Sequence, residues 1–184
     1  AALDDPARVL EFAETVRAEY VAVGIRSALH PQIDLGSEPR WGRQFHTFGN
    51  DPERVAAFAE AYITGLQGEG GVGAASVAAM AKHCPGGGPQ RDGEDPHFPY
   101  GADQVYPGGR FADHLLPFRR AVAAGVSALM PYYGKPVGLT LDGELARFRP
   151  GVERVLARRP VPVVPVALRG LWGSVFSRRD SFLG

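Results

Sequence analysis

The sequence predicts an α/β protein: a partial (β/α)8 TIM-type barrel of parallel βα units, followed by a short βα-type tail. Three observations point there. Strand-like apolar runs alternate with amphipathic helical stretches along residues 1–144. Each strand-like run ends in a loop with polar groups, which is how parallel sheets collect a site at the carboxyl ends of their strands. Only three such units precede a change of character, and the chain has 184 residues, where a complete eight-stranded barrel takes about 250.

The elements follow in order. Asp5-Pro6 reads as an N-cap and first helical position, and Val9, Leu10, Phe12, Ala13 and Val16 give the helix a broad apolar face. Val21 to Leu29 reads as the first strand. Residues 30–43 hold Pro31, Pro39, Gly36 and Gly42, so they form a loop. Asp51-Pro52 opens a second helix, whose Val55, Phe58, Ala59, Tyr62, Ile63 and Leu66 all fall on one helical face. A glycine-rich link, 68–73, leads to the second strand, Ser76 to Cys84, and a long loop runs on to about Gly109. Phe111 to Ala124 is helical; Pro117 fits it badly unless the helix starts there. Ser127 to Tyr133 is the third strand. In the tail, residues 150–159 read as a short basic helix and 160–168 as an edge-like, proline-bearing strand.

Composition narrows the function classes. Hydrophobic residues make up 45% of the chain, enough for a sizeable core, and 24 Gly with 16 Pro imply many loops. The single cysteine, Cys84, excludes an internal disulfide and a cysteine-rich zinc site. No run is apolar enough to span a bilayer and no signal peptide opens the chain, so the bacterial cytoplasm is the expected compartment. The sequence starts in the style of a helix without an initiator methionine, as a fragment would. The net charge is zero but unevenly spread: residues 1–145 carry 12 basic and 18 acidic side chains, and residues 146–184 carry eight arginines against Glu153 and Asp180. Such a basic tail suits an anionic surface or marks a piece of different origin.

The chemistry gathers in AKHCPGGGPQRDGEDPHFPYG, residues 81–101. An apolar strand ends in Lys82 and His83, then opens into three glycines, an acidic cluster (Asp92, Glu94, Asp95), His97 and two aromatics. The first loop offers Asp34, Glu38, Arg40 and Arg43, and the third strand ends at Tyr132 and Tyr133. In a parallel sheet these groups meet on one side. Fixed cationic donors, a carboxylate and aromatic faces suit a polyhydroxylated ligand such as a sugar. Lys82 as a solvated strand end, His83 as a core histidine and glycines as turn formers are the bland alternatives. A metal site among His83, Asp92, Glu94, Asp95 and His97 has no matching ligand spacing. Gly86-Gly87-Gly88 lacks the order of a phosphate loop. A Cys84–His83 nucleophile pair would need neighbours on a strand to face the same way.

The segments PRWGR (39–43), TFGNDP (47–52), GLQG (65–68), KHCPGGGPQRDGEDPHFPYG (82–101), QVYPG (104–108) and MPYYGKPVG (130–138) resemble the N-terminal barrel domain of glycoside hydrolase family 3, the β-glucosidase family. The resemblance covers residues 1–144, with Cys84 standing where a Phe is usual. It implies a −1 subsite for a glucose-like terminal sugar, with Arg43, Lys82 and His83 hydrogen-bonding its hydroxyls, Tyr133 lining the pocket and Asp34 as a further sugar ligand. It implies no cofactor, no metal and no nucleic-acid partner. The retaining mechanism needs two carboxylates about 5–5.5 Å apart. The family nucleophile is an Asp before a Trp, and neither Trp41 nor Trp172 follows an Asp; the acid/base Glu comes from a second domain. No catalytic residue is therefore assigned, and the chain is expected to be inactive alone.

Residues 139–184 resemble the C-terminal part of a 1-acylglycerol-phosphate acyltransferase, VPVVPVALRG (161–170) corresponding to its fourth motif. The alternative function is thus a glycerolipid acyltransferase, or a fragment that meets membranes through its arginines. His46 and Asp51 have that family's catalytic spacing, but they fall in and beside TFGNDP, and no Phe-Pro-Glu-Gly is present. Asp142-Gly143-Glu144 serves both resemblances, so two domains are expected, 1–144 and 145–184, joined near Gly143 by fusion or misassembly.

Overall fold

The computed structural model describes residues 3–138, which lie within the unit Ala1–Leu141. The helix, strand and join expected beyond residue 138 fall outside the described residues. Three helices, α1 (Pro6–Ala22), α2 (Pro52–Gln67) and α3 (Phe111–Ala123), alternate with strands β1 (Ser27–Ala28), β2 (Ala78–Cys84) and β4 (Ala128–Pro131). These strands form one parallel sheet in the order β1-β2-β4. β3 (Asp103–Gln104) and β5 (Lys135–Pro136) form a separate parallel pair. This is the α/β, parallel architecture of a partial TIM-type barrel.

Both leading helices start as their sequences dictate. Asp5 accepts the Ala7 N–H at 2.9 Å and Asp51 accepts the Arg54 N–H at 2.8 Å, each before a proline. The apolar face of α2 buries Val55, Ala59, Ile63 and Leu66 against Ala79 and Ala81 of β2, Phe118 and Ala121 of α3, and Ile33 and Leu35 of the first loop, and Phe58 is buried with its ring edge-on to Phe48 at 5.6 Å. Truncating a buried side chain such as Phe58 costs about 3–5 kcal/mol in comparable cores. Helix α1 crosses α2 closely: a Cβ on Gly65 would sit 2.5 Å from the Ala13 Cβ. At the end of α2 the buried Gln67 ties three elements together. Its Nε2 donates to the Gly125 carbonyl at 2.9 Å, and its Oε1 accepts the Ala79 N–H at 3.2 Å and the Ser127 N–H at 2.9 Å. One amide thereby sets β2 and β4 at a common height.

Three expectations are corrected. Residues 21–29 are not a strand. Val16, Tyr20 and Val21 pack on the core as the last turns of α1, which Gly24 ends at φ +83°, leaving only Ser27–Ala28 to pair with β2. Pro117 does not start α3 but lies inside it, fully buried, so its apolar ring offsets the lost N–H. The loop 85–109 contains two 3-10 turns and β3, whose polar, two-residue length gives no alternation to read. Among the described residues no helix is long and apolar enough to cross a membrane.

Two histidines are built into this scaffold. His114 of α3 is buried beside Gly86 with its Nδ1 unpartnered, and burial lowers its pKa from 6.5. His30, packed edge-on to Tyr20 and Tyr62, is lowered by burial and then by Lys82. The unfolded chain takes up these protons near 6.5 while the folded chain resists them. Their contribution to stability is full above that pH and is lost as pH falls from 6.5 toward the folded values. The urea midpoint should therefore drop between about pH 7.5 and about pH 5. His114→Phe should flatten that drop; an unchanged slope in the variant would show that His114 is not one of its sources.

Candidate functional site

β2 carries Lys82 and His83 to the carboxyl end of the sheet. Its ladder with β4 loses register between Lys82 and Cys84, and the Lys82–His83 peptide is cis. Both side chains line one cavity of about 520 Å³, where strict alternation would send neighbours to opposite faces. Arg43 enters from the first loop, Asp95 and His97 from the second, and Tyr133 from the segment after β4. Four of the five expected residues, Arg43, Lys82, His83 and Tyr133, therefore come together.

Asp34 does not join them. It was expected as a sugar ligand, but its side chain has no exposure, and both oxygens are occupied. Oδ1 accepts the His83 N–H at 3.0 Å and the Gly87 N–H at 2.6 Å, and Oδ2 lies 2.9 Å from His83 Nδ1. It stands behind the wall and holds it. His83 Nε2 in turn lies 3.0 Å from Arg43 Nη1, and Arg43 Nη2 donates to Gln32 Oε1 at 2.8 Å. Lys82 completes the group: burial, then the charge of Arg43, lowers its pKa, and Asp34 opposes that shift.

The glycines serve close approach. A Cβ on Gly88 would fall 1.5 Å from the Leu35 carbonyl oxygen, and one on Gly87 would fall 2.9 Å from the Tyr132 ring and 3.0 Å from Trp41. Trp41 and Tyr132, whose rings meet edge-on at 6.5 Å, also line the cavity. Of the acidic cluster, Asp92 pairs with Arg40 at 3.1 Å and Glu94 is exposed. Asp95 lies 2.6 Å from His97 Nδ1; the His97 N–H and ring hold its carboxyl below the usual range. The His97 ring leans on Tyr133 at 4.8 Å. Sequence reading kept Asp95 in the binding loop but missed the place of His97 in the wall; the only available signal was the Asp-Pro-His spacing that lets the two side chains bond. Cys84 packs against the core instead, and burial raises its thiol pKa. Among the described residues no group of three or more His, Cys, Asp or Glu is arranged to hold a metal ion.

A parallel βα sheet that opens at its carboxyl end into a pocket of arginine, lysine, histidine and aromatic side chains defines a TIM-barrel protein with a polar ligand site. Comparison with known proteins gives the family. The sequence profile described as Glycosyl hydrolase family 3 N terminal domain matches residues 1–135, and the chain belongs to that family. Beta-glucosidase C of Emericella nidulans is 45% identical over 184 residues, covering 100% of this chain and 29% of that protein. A solved β-glucosidase from Erythrobacter marinus is 31% identical with a TM-score of 0.63, over 72% of this chain and 18% of that one. A β-glucosidase from Listeria innocua, solved in complex with laminaribiose, is 25% identical with a TM-score of 0.62, over 72% and 18%. The chain thus spans under a third of these relatives' lengths. The Emericella match extends through residues 139–184, and the acyltransferase resemblance of that segment finds no support in it.

Gly88→Ala tests how tightly the loop must fit. The added methyl would meet the Leu35 backbone, which cannot swing aside as a side chain would, so about 1–3 kcal/mol of destabilisation is expected. Thermal unfolding unchanged from the parent chain would show that the two loops do not pack as described.

Proposed function

We propose that this chain carries the sugar-binding half of a β-glucosidase-type site, a −1 subsite for a glucose-like terminal sugar whose O-glycosyl bond the complete enzyme hydrolyses. The observation that carries this reading is the convergence of Arg43, Lys82, His83 and Tyr133, from three separate segments, on one cavity. Arg43 and Lys82 supply charged donors, which bind hydroxyls more strongly than neutral ones do. His83 follows Lys82 in sequence and lies against Arg43, and Tyr133 offers an aromatic face. Family membership and the laminaribiose bound by the Listeria relative support a glucose-like sugar.

The chemical half is a separate matter. Retaining hydrolysis needs a nucleophile and an acid/base carboxyl on either side of the bond. Among the described residues one carboxylate, Asp95, lines the cavity, and it is bonded to His97. This chain alone binds sugar and does not turn it over. Aryl β-glucosides should show no hydrolysis above a mock preparation. Hydrolysis lost in Asp92→Ala or Glu94→Ala would mean that the acidic loop holds the nucleophile.

Binding is measured by calorimetry with glucose. Lys82→Ala should lose about 1.5–3 kcal/mol, the contribution of a hydrogen bond to a charged group. Because the Lys82 pKa lies below 10.5, the ammonium is lost earlier than from an ordinary lysine as pH rises. Glucose affinity should fall on an alkaline limb centred below 10.5, and that limb should vanish in Lys82→Ala. Equal affinity of the two proteins would remove Lys82 from the subsite.

A further inference from the structure

Both ring nitrogens of His83 are already engaged. Nε2 lies 3.0 Å from Arg43 Nη1, and a guanidinium can only donate, so Nε2 accepts and carries no proton. Nδ1 lies 2.9 Å from Asp34 Oδ2, and a carboxylate only accepts, so Nδ1 carries the single ring proton. In this arrangement the ring has no N–H left to offer a ligand. Asp34 cannot turn away from it, because its other oxygen is fixed by the His83 and Gly87 N–H groups and its side chain has no exposure. Arg43 is held at its second terminal nitrogen by Gln32, also buried. Two acceptors thus fix the plane of the guanidinium, while its remaining N–H groups are not spent on these contacts.

We propose that Asp34 is a positioning residue for Arg43: by imposing the Nδ1–H tautomer on His83, it makes the ring an acceptor that orients the guanidinium toward the sugar. His83 serves the pocket through Arg43 and does not donate to the ligand itself. The proposal rests on the reading of this cavity as a sugar subsite, and it differs from a purely structural role for Asp34 in what one substitution would do. Asp34→Asn keeps the shape, and its remaining oxygen still accepts both backbone N–H groups. Its new NH2 faces Nδ1 as a donor, which drives the ring proton to Nε2 and sets two donors against each other at Arg43. A histidine oriented by a carboxylate loses function in the same manner in serine proteases when that carboxylate becomes an amide.

The test is a proton–nitrogen correlation spectrum of the histidine rings in the full chain, read with and without saturating glucose, together with glucose titrations. The wild-type His83 should show a protonated Nδ1 and an unprotonated Nε2, and glucose should leave that pattern unchanged. Asp34→Asn should move the proton to Nε2 and weaken glucose on the order of tenfold. Combined with Arg43→Ala, it should add almost nothing to the loss from Arg43→Ala alone. An Nε2–H ring in the wild type, or one that gains Nε2–H on adding glucose, overturns the proposal and needs no variant to fold. So do additive losses, or a switched tautomer with undiminished affinity. A wild-type chain that keeps the Nδ1–H ring yet binds no glucose would instead sink the sugar-subsite reading.

Discussion

A single buried carboxylate holds the site together. Asp34 has no exposure, and a charge taken out of water is costly unless every lone pair finds a partner. Its three partners all come from the end of β2 and the glycine loop: the His83 N–H, the His83 ring and the Gly87 N–H. The first loop, the strand end and the glycine turn are therefore one body. The fit of Gly88 on the Leu35 carbonyl closes the same joint from the other side. Side chains that must meet a ligand within tenths of an ångström are best mounted on such a joint.

The scaffold below explains the height at which that joint sits. Gln67 bonds the N–H of Ala79 in β2 and the N–H of Ser127 just before β4, and β2 then runs alternately buried and half-buried to Lys82. Lys82 and Arg43 share one cavity wall and repel each other, while Asp34 behind them offsets part of that repulsion. A buried carboxylate behind the wall can thus allow two cations to share it. The arrangement gathers charged donors on the wall of one cavity, in a chain whose relatives are more than three times longer.

Much of this was legible in the sequence. The periodic face of α2 survives as the core helix, and β2 begins two residues later than its apolar run suggests. Valines 21 and 23 looked like strand residues because β-branched side chains also close a helix that packs on a core, and only the left-handed Gly24 separates the two uses. The β3–β5 pair could not be read, since Asp103, Gln104 and Lys135 have no apolar alternation. Arg43, Lys82, His83 and Tyr133 were readable as a group because each lies at or beyond the carboxyl end of a strand of a parallel sheet. The burial of Asp34 was not, because the direction in which a carboxylate turns depends on N–H groups 49 to 53 residues away.

The central claim is that these side chains form one sugar subsite. A crystal structure of the chain soaked with glucose tests it most directly. The account predicts a single glucose in the cavity, with hydroxyl oxygens within hydrogen-bond distance of Lys82 Nζ and of the Arg43 N–H groups not used by His83 and Gln32, and with its ring beside Tyr133. Glucose bound elsewhere on the protein while this cavity holds none, or bound here without touching Lys82 or Arg43, would contradict it.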